Sequence, residues 1–192
     1  MKIELTFTEP LLATCSGNKE IATEFILSKR PEGIAEDEQE SLPEQDIEKS
    51  STVFMQLEDG TPFLWDYQIK GFFKAAASAL NRSLKKEDQF KAHKKIIDTL
   101  IFVKPRRIPI QLSGPITILE RPLRGQTAQG ERIALARSES APAGSKIVIE
   151  ILCLDPKLES PVKLWLDYGQ WSGIGQWRSA SYGKFVFKIL TE

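Results

Sequence analysis

The sequence is poor in cysteine and histidine, with two cysteines and one histidine among its 192 residues. Two cysteines are too few for the disulfide framework of a small secreted protein. A Cys/His zinc site would need Cys15, His93 and Cys153 together with a carboxylate, and none of these residues have the short spacing of zinc ligands. We therefore predict no disulfide framework, no metal site and no cofactor.

Long apolar runs are also missing. No segment approaches the ~18–20 consecutive apolar residues that a membrane-spanning helix needs. Residues Met1 to Phe7 alternate polar and apolar side chains, and they contain neither the apolar core nor the small-residue cleavage site of a secretory signal. We expect a cytoplasmic protein with no membrane partner.

The sequence has no net charge, because 26 basic residues balance 26 acidic ones, and this alone argues against a nucleic-acid partner. The charges are segregated, however. Residues 31–48 hold eight acidic residues and no basic one, which leaves 26 basic against 18 acidic residues elsewhere, a balance of +8. Eleven of the basic residues lie within 70–107, and clustered basic residues are typical of surfaces that bind a polyanion.

We interpret residues 31–50 as a mobile acidic insertion, because the segment has few large apolar side chains to bury. It is either a solvated spacer or an acidic arm that competes with a polyanion for a basic groove.

The hydrophobic pattern predicts helices at 19–29, 66–82, 84–98 and 158–169. A hairpin is expected over 52–65, with its turn at Asp59-Gly60. Alternating or β-branched runs predict strands at 2–8, 101–103, 107–111, 117–120, 132–136, 146–154 and 185–190.

The first motif, residues 62–74, joins a strand to a helix. Lys70 and Lys74 are four residues apart and share one helical face. Gly71 lies between them and costs about 1 kcal/mol relative to alanine inside a helix. Its presence indicates a close approach to the helix backbone, either by a ligand or by another element in tight helix–sheet packing.

The second motif, residues 120–132, has two strands flanking a polar loop that carries Arg121, Arg124 and Arg132. Arginine in such a loop suits bidentate contact with phosphate. Many hairpin tips share this composition, so the motif gains meaning only in combination with others.

The third motif, residues 173–185, precedes the final predicted strand. Gly173 and Gly175 would expose backbone N–H groups to an anion, and nearby basic residues would add charge. Trp177 and Tyr182 could stack on bases, at ~1–3 kcal/mol per base. The motif is neither a dinucleotide fingerprint, which follows a strand and opens a helix, nor a Walker loop.

Together and in this order, the motifs resemble the RAMP superfamily, the RNA-binding proteins of CRISPR systems. Members have a strand and then a helix that opens with a Lys-Gly pair and soon adds a basic residue, as in Ile69–Lys74. A late turn before a β-branched strand matches Ala141–Ile151, and a glycine-containing loop before the last strand matches Gly173–Phe185. The resemblance covers about residues 52–192 and is strongest to the backbone subunits that coat guide RNA. The sequence also looks like small proteins of bacterial prophages.

The resemblance implies an α+β fold in a single domain over residues 1–192. Its core would be a ferredoxin-like (RRM-like) antiparallel sheet with helices on one face and extra β-hairpins. It also implies that the chain binds RNA along the sugar-phosphate backbone. The residues that we expect to bind RNA are Lys70, Lys74, Arg121, Arg124, Arg132, Gly173, Gly175, Trp177, Arg178, Ser179, Tyr182 and Lys184.

We predict that the chain is not an enzyme. His93 is the only histidine that could act as a base in RNA cleavage. No motif match carries a catalytic role onto it, and it lies among Lys91, Lys94 and Lys95, as a surface residue of a basic helix would. The carboxylates lack the spacing of a metal-nuclease site, and no serine or cysteine has an organised base nearby.

Three functions from different classes stay open. The leading one is a non-catalytic protein that binds single-stranded RNA. The second is a phage-encoded anti-CRISPR protein that mimics or docks on a CRISPR effector or another defence complex, which the acidic segment 31–48 suggests. The third is a metal-independent endoribonuclease that uses His93. Assembly into a homo-oligomer or filament is a further expectation.

Overall fold

The computed structural model of the chain describes residues 1–17, 51–87, 89–127 and 130–190, and between 123 and 134 it describes the backbone alone. The helix predicted at 19–29 and the acidic insertion predicted at 31–50 lie outside the described residues. The described helices are α1 (Asp66–Asn81), α2 (His93–Leu100) and α3 (Glu159–Asp167). The described strands are β1 (Lys2–Phe7), β2 (Leu11–Leu12), β3 (Cys15–Ser16), β4 (Ser51–Val53), β5 (Met55–Gln56), β6 (Pro62–Trp65), β7 (Ile101–Lys104), β8 (Arg107–Pro109), β9 (Thr117–Thr127), β10 (Gly130–Ala141), β11 (Lys146–Cys153) and β12 (Phe185–Leu190).

Four strands form an antiparallel sheet in the order β12-β1-β11-β7. Helices α1 and α2 lie between β1 and β7 in the chain, and α3 lies between β11 and β12. This is the strand–helix–strand–strand–helix–strand arrangement of a ferredoxin-like core, with the first strand in the interior of the sheet. The α+β fold predicted from the resemblance is therefore confirmed.

The hydrophobic core lies between one face of this sheet and helices α1 and α3. Along β1, buried and more exposed residues alternate, so that Ile3, Leu5 and Phe7 point into the core. Phe72 of α1 packs edge-to-face on Phe185 of β12, with ring centroids 5.1 Å apart. Burying each such side chain contributes about 1.5–3 kcal/mol, which fixes the helices on this face.

The opposite face of the sheet is largely exposed and mixes charges of both signs. Glu4 and Lys188 are opposite each other on β1 and β12, and Glu150 and Lys104 are opposite on β11 and β7. Lys146 Nζ lies 2.9 Å from Glu4 Oε1. The basic side chains of this open face therefore have carboxylates beside them.

Two further sheets lie within the described residues, and they confirm the predicted extra hairpins. Strands β9 and β10 form a long antiparallel hairpin, and β10 also pairs with β2 and, in parallel, with β4. Strands β5, β6 and β8 form the other sheet. The strands predicted at 117–120 and 132–136 are thus only parts of the longer β9 and β10.

The predicted hairpin over 52–65 is correct for β5 and β6 but wrong for Val53. Val53 lies in β4 and pairs with Cys15 of β3, because the chain changes sheets at Phe54. The backbone N–H of Phe54 donates to Glu139 Oε2 at 2.7 Å, and this bond to β10 separates the two short strands.

The helix predicted at 84–98 is wrong in its first half, since α2 begins only at His93. Asn81, the last residue of α1, accepts a hydrogen bond from the N–H of Phe90 and donates to its carbonyl oxygen, each at 3.0 Å. Ala92 then adopts a left-handed backbone conformation with φ of 51°. These bonds fold the segment back on α1, and a continuous helix could not make them.

His93 is held against α1 by both of its ring nitrogens. Asn81 Nδ2 donates to His93 Nδ1 at 3.3 Å, since Asn81 Oδ1 is the acceptor for the N–H of Phe90. His93 Nε2 therefore carries the proton and donates to Ser78 Oγ at 2.9 Å. These contacts assign the ring a structural role at the start of α2.

We expect Asn81→Ala to destabilise the fold by about 2 kcal/mol, because it removes three hydrogen bonds at a partly buried site. The midpoint of thermal unfolding should fall by roughly 4–8 °C. Ser78→Ala is the matched control, because it removes only the bond to His93 and should lower the midpoint by about half as much. Equal midpoints for Asn81→Ala and the native chain would contradict this account.

Candidate nucleic-acid interface

The segment between α3 and β12, residues 173–184, forms a loop closed by its own backbone, and we call it the glycine loop. The N–H of Ile174 donates to the carbonyl oxygen of Gly183 at 3.0 Å. The N–H of Gly183 in turn donates to the carbonyl oxygen of Pro10 at 2.8 Å. These two bonds tie both ends of the loop to each other and to the segment that follows β1.

The glycines at the two ends of the loop are required by close backbone packing. A Cβ at Gly173 would overlap the backbone of Gly183, and a Cβ at Gly183 would overlap the carbonyl oxygen of Ile174. Gly183 also has a φ of +68°, in the left-handed region that favours glycine. At Gly175, a Cβ would lie 2.7 Å from the carbonyl oxygen of Leu12. Backbone packing therefore accounts for these glycines, and the predicted anion contact at Gly173 and Gly175 stays a prediction.

Two aromatic side chains stack on each other at the tip of the loop. The rings of Trp177 and Tyr182 are nearly parallel, at 4°, with centroids 5.5 Å apart. Trp177 has a φ of 54° and Ser181 a φ of 73°, both left-handed conformations that are uncommon for residues other than glycine. Trp177 keeps 38% of its surface exposed, so that the stacked pair forms part of the protein surface.

Arg121 of β9 joins the hairpin to the glycine loop. Its guanidinium carbon lies 3.8 Å from the centroid of the Trp177 ring, a cation–π contact. Its Nη2 donates to Gln176 Oε1 at 3.5 Å, a long bond. Within the described part of the chain, the buried Nε and Nη1 atoms have no hydrogen-bond partner. Loss of hydration lowers the pKa of Arg121 from its ordinary value, although an arginine stays charged at neutral pH.

A small polar network fixes the position of Gln176. Ser138 of β10 is buried, and its Oγ donates to Gln176 Oε1 at 3.4 Å. Thr52 Oγ1 donates to Ser138 Oγ at 2.8 Å. The network thus connects β4, β10 and the glycine loop, and it holds the loop beside the base of the long hairpin.

A cavity of about 350 Å³ lies beside the glycine loop, and we call it the aromatic pocket. Its walls come from β3 to β6, the start of α1 and the loop itself. Within the described residues, the only charged side chain in the lining is the exposed Arg178. The lining residues are Thr14, Cys15, Val53, Phe54, Met55, Phe63, Leu64, Trp65, Tyr67, Gln68, Gly71, Phe72, Ile174, Gly175 and Arg178.

Gly71 of α1 lines this pocket. A Cβ added there would have no described atom within 4 Å, so that tight helix–sheet packing does not explain the glycine. Of the two predicted reasons for Gly71, approach by a ligand is the one that stays open. The neighbouring Cys15 thiol is neutral, because burial raises its pKa to about 11.

Lys70 and Lys74 of α1 contact residues outside the glycine loop. Lys74 Nζ forms an ion pair with Asp98 Oδ1 at 2.6 Å. Lys70 Nζ lies 3.4 Å from the carbonyl oxygen of Asp98 and 5.0 Å from the ring centroid of Phe102. Both ammonium groups therefore contact the end of α2 and the strand after it, rather than the glycine loop, and their predicted contact with RNA stays a prediction.

The other predicted residues divide between the loop and the hairpin. Arg178 and Ser179 are exposed in a single 3-10 turn, and Lys184 is half-buried directly before β12. In the hairpin, Arg124 is opposite Ile133 and Arg132 is opposite Gly125 in the strand register, but their side chains lie outside the described residues. The structure thus brings Arg121 together with Trp177 and Tyr182.

Sequence reasoning missed Gln176 and the aromatic pocket. Gln176 carries no distinctive pattern, and its role depends on Ser138, which is distant in the chain. The cluster Phe63, Trp65 and Tyr67 was visible at alternate positions of β6 and α1. That spacing gave a signal for an aromatic wall, although it does not distinguish a pocket from an ordinary core.

Among the described residues, no group of three or more His, Cys, Asp or Glu side chains is placed to hold a metal ion. None of the helices found there combines the length and apolar character needed to cross a membrane.

No family model matches the sequence, and no curated protein matches it. Solved structures do share its fold. One is a chain of a Type III-B Cmr-beta complex bound to cognate target RNA, with a TM-score of 0.53 and 11% identity over 99% of this chain. This chain spans 58% of the length of that protein. Another is Cmr6 from Pyrococcus furiosus, with a TM-score of 0.51 and 10% identity over 97% of each chain. The fold expected from the RAMP resemblance is thereby confirmed.

We expect Gly183→Ala to destabilise the fold by more than about 3 kcal/mol, because the new Cβ adds a clash with Ile174 to an unfavourable backbone conformation. Gly60→Ala is the matched control, since Gly60 has a similar φ of +80° but no described atom within 4 Å of an added Cβ. It should cost only about 1–2 kcal/mol. Chemical denaturation measures both values, and equal losses would show that crowding at Gly183 is unimportant.

Proposed function

We propose that the chain is a non-catalytic RNA-binding protein of the CRISPR effector type. In this proposal it binds the sugar-phosphate backbone of single-stranded RNA across the glycine loop and the base of the β9–β10 hairpin. Arg121, Arg178 and Lys184 would contact phosphates, while Trp177 and Tyr182 would offer ring surface to bases.

The observation that carries the proposal is the junction of Arg121 with the loop. Burial removes part of the hydration of its guanidinium, and two of its nitrogens have no partner within the described residues. Buried donors without partners are costly and uncommon in native proteins. A phosphate oxygen is an acceptor that could satisfy them after a small movement of the side chain, and arginine matches its geometry.

The comparisons support the same proposal. One similar structure is a chain from an effector complex described as bound to cognate target RNA. The other, Cmr6, is similar over nearly its whole length. Because the identities are 11% and 10%, the likeness concerns the fold, and RNA binding by this chain rests on its own residues.

The open face of the four-stranded sheet is the other surface on which an RRM-like fold could bind RNA. Its lysines have carboxylates opposite them, as with Lys104 and Glu150 or Lys188 and Glu4. The phosphates of an RNA strand bound to this face would lie near carboxylates as well as near lysines. The glycine loop is better suited, because Arg178 and Lys184 have no acidic neighbour within the loop sequence.

The placement of His93 supports a role without catalysis. Both ring nitrogens bond to side chains of α1, so neither is directed to a substrate. Of the two alternatives, the anti-CRISPR function gains no support here, since the acidic segment that suggested it lies outside the described residues.

We expect the double variant Arg121→Ala, Arg178→Ala to bind single-stranded RNA at least about tenfold more weakly at low salt, because it removes two charged donors. The slope of log affinity against log salt, measured from about 50 to about 200 mM, should become less steep by about 1.4. Fluorescence anisotropy of a labelled oligonucleotide measures both quantities.

The matched control is Lys104→Ala, Lys188→Ala, which removes the same charge from the open face of the sheet. It should leave the affinity and the slope nearly unchanged. If this control weakens binding and the arginine variant does not, RNA binds the open face and the assignment of the site is wrong. If the native chain does not detectably bind single-stranded RNA at low salt, the proposed function is wrong.

We also expect structured and single-stranded RNA to stay intact during incubation with the purified protein, because both ring nitrogens of His93 are bonded to side chains of α1. Gel analysis of end-labelled RNA tests this outcome. Cleavage by the native chain that disappears in His93→Ala, with unfolding midpoints compared as above, would favour the endoribonuclease instead.

A further inference from the structure

We propose that the aromatic pocket beside the glycine loop binds one unstacked base of the RNA strand. This inference deepens the proposed function and rests on it: the phosphates would pass Arg178 while a single base enters the cavity. A pocket that is apolar inside and cationic at its opening matches the two parts of a nucleotide.

The walls of the pocket can flank a flat ring, because they are rich in aromatic side chains that pack on one another. Trp65 and Tyr67 are nearly parallel, at 13°, with centroids 6.0 Å apart, and Phe63 meets Trp65 edge-on at 4.9 Å. Phe54 and Phe72 complete the aromatic lining. Every base has a π-face, so aromatic walls attract bases without regard to sequence. A volume of about 350 Å³ is at the small end of ligand sites, which suits one base rather than several.

A fixed amide lies in the wall and could contact the edge of a base. Gln68 Oε1 accepts the N–H of Trp65 at 2.7 Å, and Gln68 Nε2 donates to Thr14 Oγ1 at 2.6 Å. The first bond fixes the orientation of the amide, since a backbone N–H can only donate. An amide nitrogen carries two hydrogens, and Thr14 takes one of them. A carbonyl group or ring nitrogen of a base is a suitable acceptor for the other.

The charge distribution favours a base inside the pocket and a phosphate outside it. Cys15 is protonated at neutral pH, and the rest of the interior lining is apolar or an uncharged polar group. The exposed lining residues, Thr14, Gly71 and Arg178, mark the opening. An ionised group would lose hydration inside, whereas Arg178 meets an anion at the surface. An apolar side chain of a partner protein would not need the arginine.

A substitution at Gly71 can test this inference, because a large side chain at this position would block the opening of the pocket. Since a Cβ at this position meets no described atom within 4 Å, a larger side chain can extend from α1 into the opening. Gly71→Leu places a branched side chain there, and Gly71→Ala is the matched control. Both changes improve helix propensity, so both variants should unfold at or above the native midpoint.

The test compares two ligands: a single-stranded RNA of about 12 nucleotides and an abasic ribose-phosphate chain of the same length. The native chain should bind the RNA about tenfold more tightly than the abasic chain. Gly71→Leu should lose the part of that difference that the pocket supplies, while contacts at Trp177 and Tyr182 keep the rest. Its affinity for the abasic chain should not change, and Gly71→Ala should resemble the native chain. In RNA carrying one 2-aminopurine, quenching of its fluorescence should be weaker with Gly71→Leu.

The other outcomes separate the two proposals. If Gly71→Leu keeps the full preference and quenching, the pocket does not hold a base while the proposed function stands. If the native chain binds both ligands equally, the pocket holds no base and Trp177 and Tyr182 contact none, so that only the contact with the sugar-phosphate backbone stands. If neither ligand binds, the proposed function fails and this inference fails with it. If Gly71→Leu changes sedimentation of the protein but not RNA binding, the pocket serves a protein contact and the inference is overturned.

Discussion

The backbone contact between Ile174 and Gly183 is the constraint on which the arrangement of the candidate site depends. It brings the two ends of the glycine loop so close that neither Gly173 nor Gly183 could carry a side chain without a clash. With the ends fixed, the residues between them must turn sharply, which places Trp177 and Arg178 at the surface. The same contact positions Ile174 and Gly175 as one wall of the aromatic pocket. The contact also fixes the position at which β12 enters the sheet, because that strand starts two residues after Gly183.

The loop also concentrates unfavourable free energy in a small region. Left-handed backbone at Trp177 and Ser181 costs about 1–3 kcal/mol at each residue, and the partly desolvated Arg121 adds a further cost. The cation–π contact with Trp177 offsets part of this, by up to about 2 kcal/mol for a desolvated pair. Strain of this kind persists only where the surrounding structure holds it, and it is most often found at binding sites. Its position at the junction of loop and hairpin agrees with the proposed contact to phosphate.

Periodic elements of the fold could be predicted from sequence, whereas the site depended on contacts between distant residues. Strand β1, helix α1 and strand β12 follow from alternation or from helical spacing, and the structure places them within a residue or two of the prediction. The first half of the helix predicted at 84–98 was wrong because Asn81 offers the backbone of Phe90 other partners. No local pattern encodes that pairing. The α+β class was predicted from the order of three motifs spread over about residues 52–192, and no one motif would have been enough.

The charge pattern illustrates the same limit. Clustered basic residues at 70–107 predicted a polyanion surface, yet Asp98 pairs with Lys74 and contacts Lys70 through its carbonyl oxygen. A count of charges along the chain treats these lysines like the exposed ones of α2. Only tertiary structure separates cations that hold elements together from cations that face solvent. The residues that the structure joins at the loop, Arg121 and Trp177, are separated by more than fifty positions in sequence.

The interior position of β1 also determines when the protein can fold during synthesis. Both described neighbours of this strand, β11 and β12, come after residue 145. A growing chain therefore carries the apolar face of β1 and its unpaired backbone until β11 and β12 have been made, a state that favours aggregation or chaperone binding. The sheet is completed only when β12 leaves the ribosome. Because the glycine loop directly precedes β12, the candidate site and the last strand of the core should become ordered in the same late event.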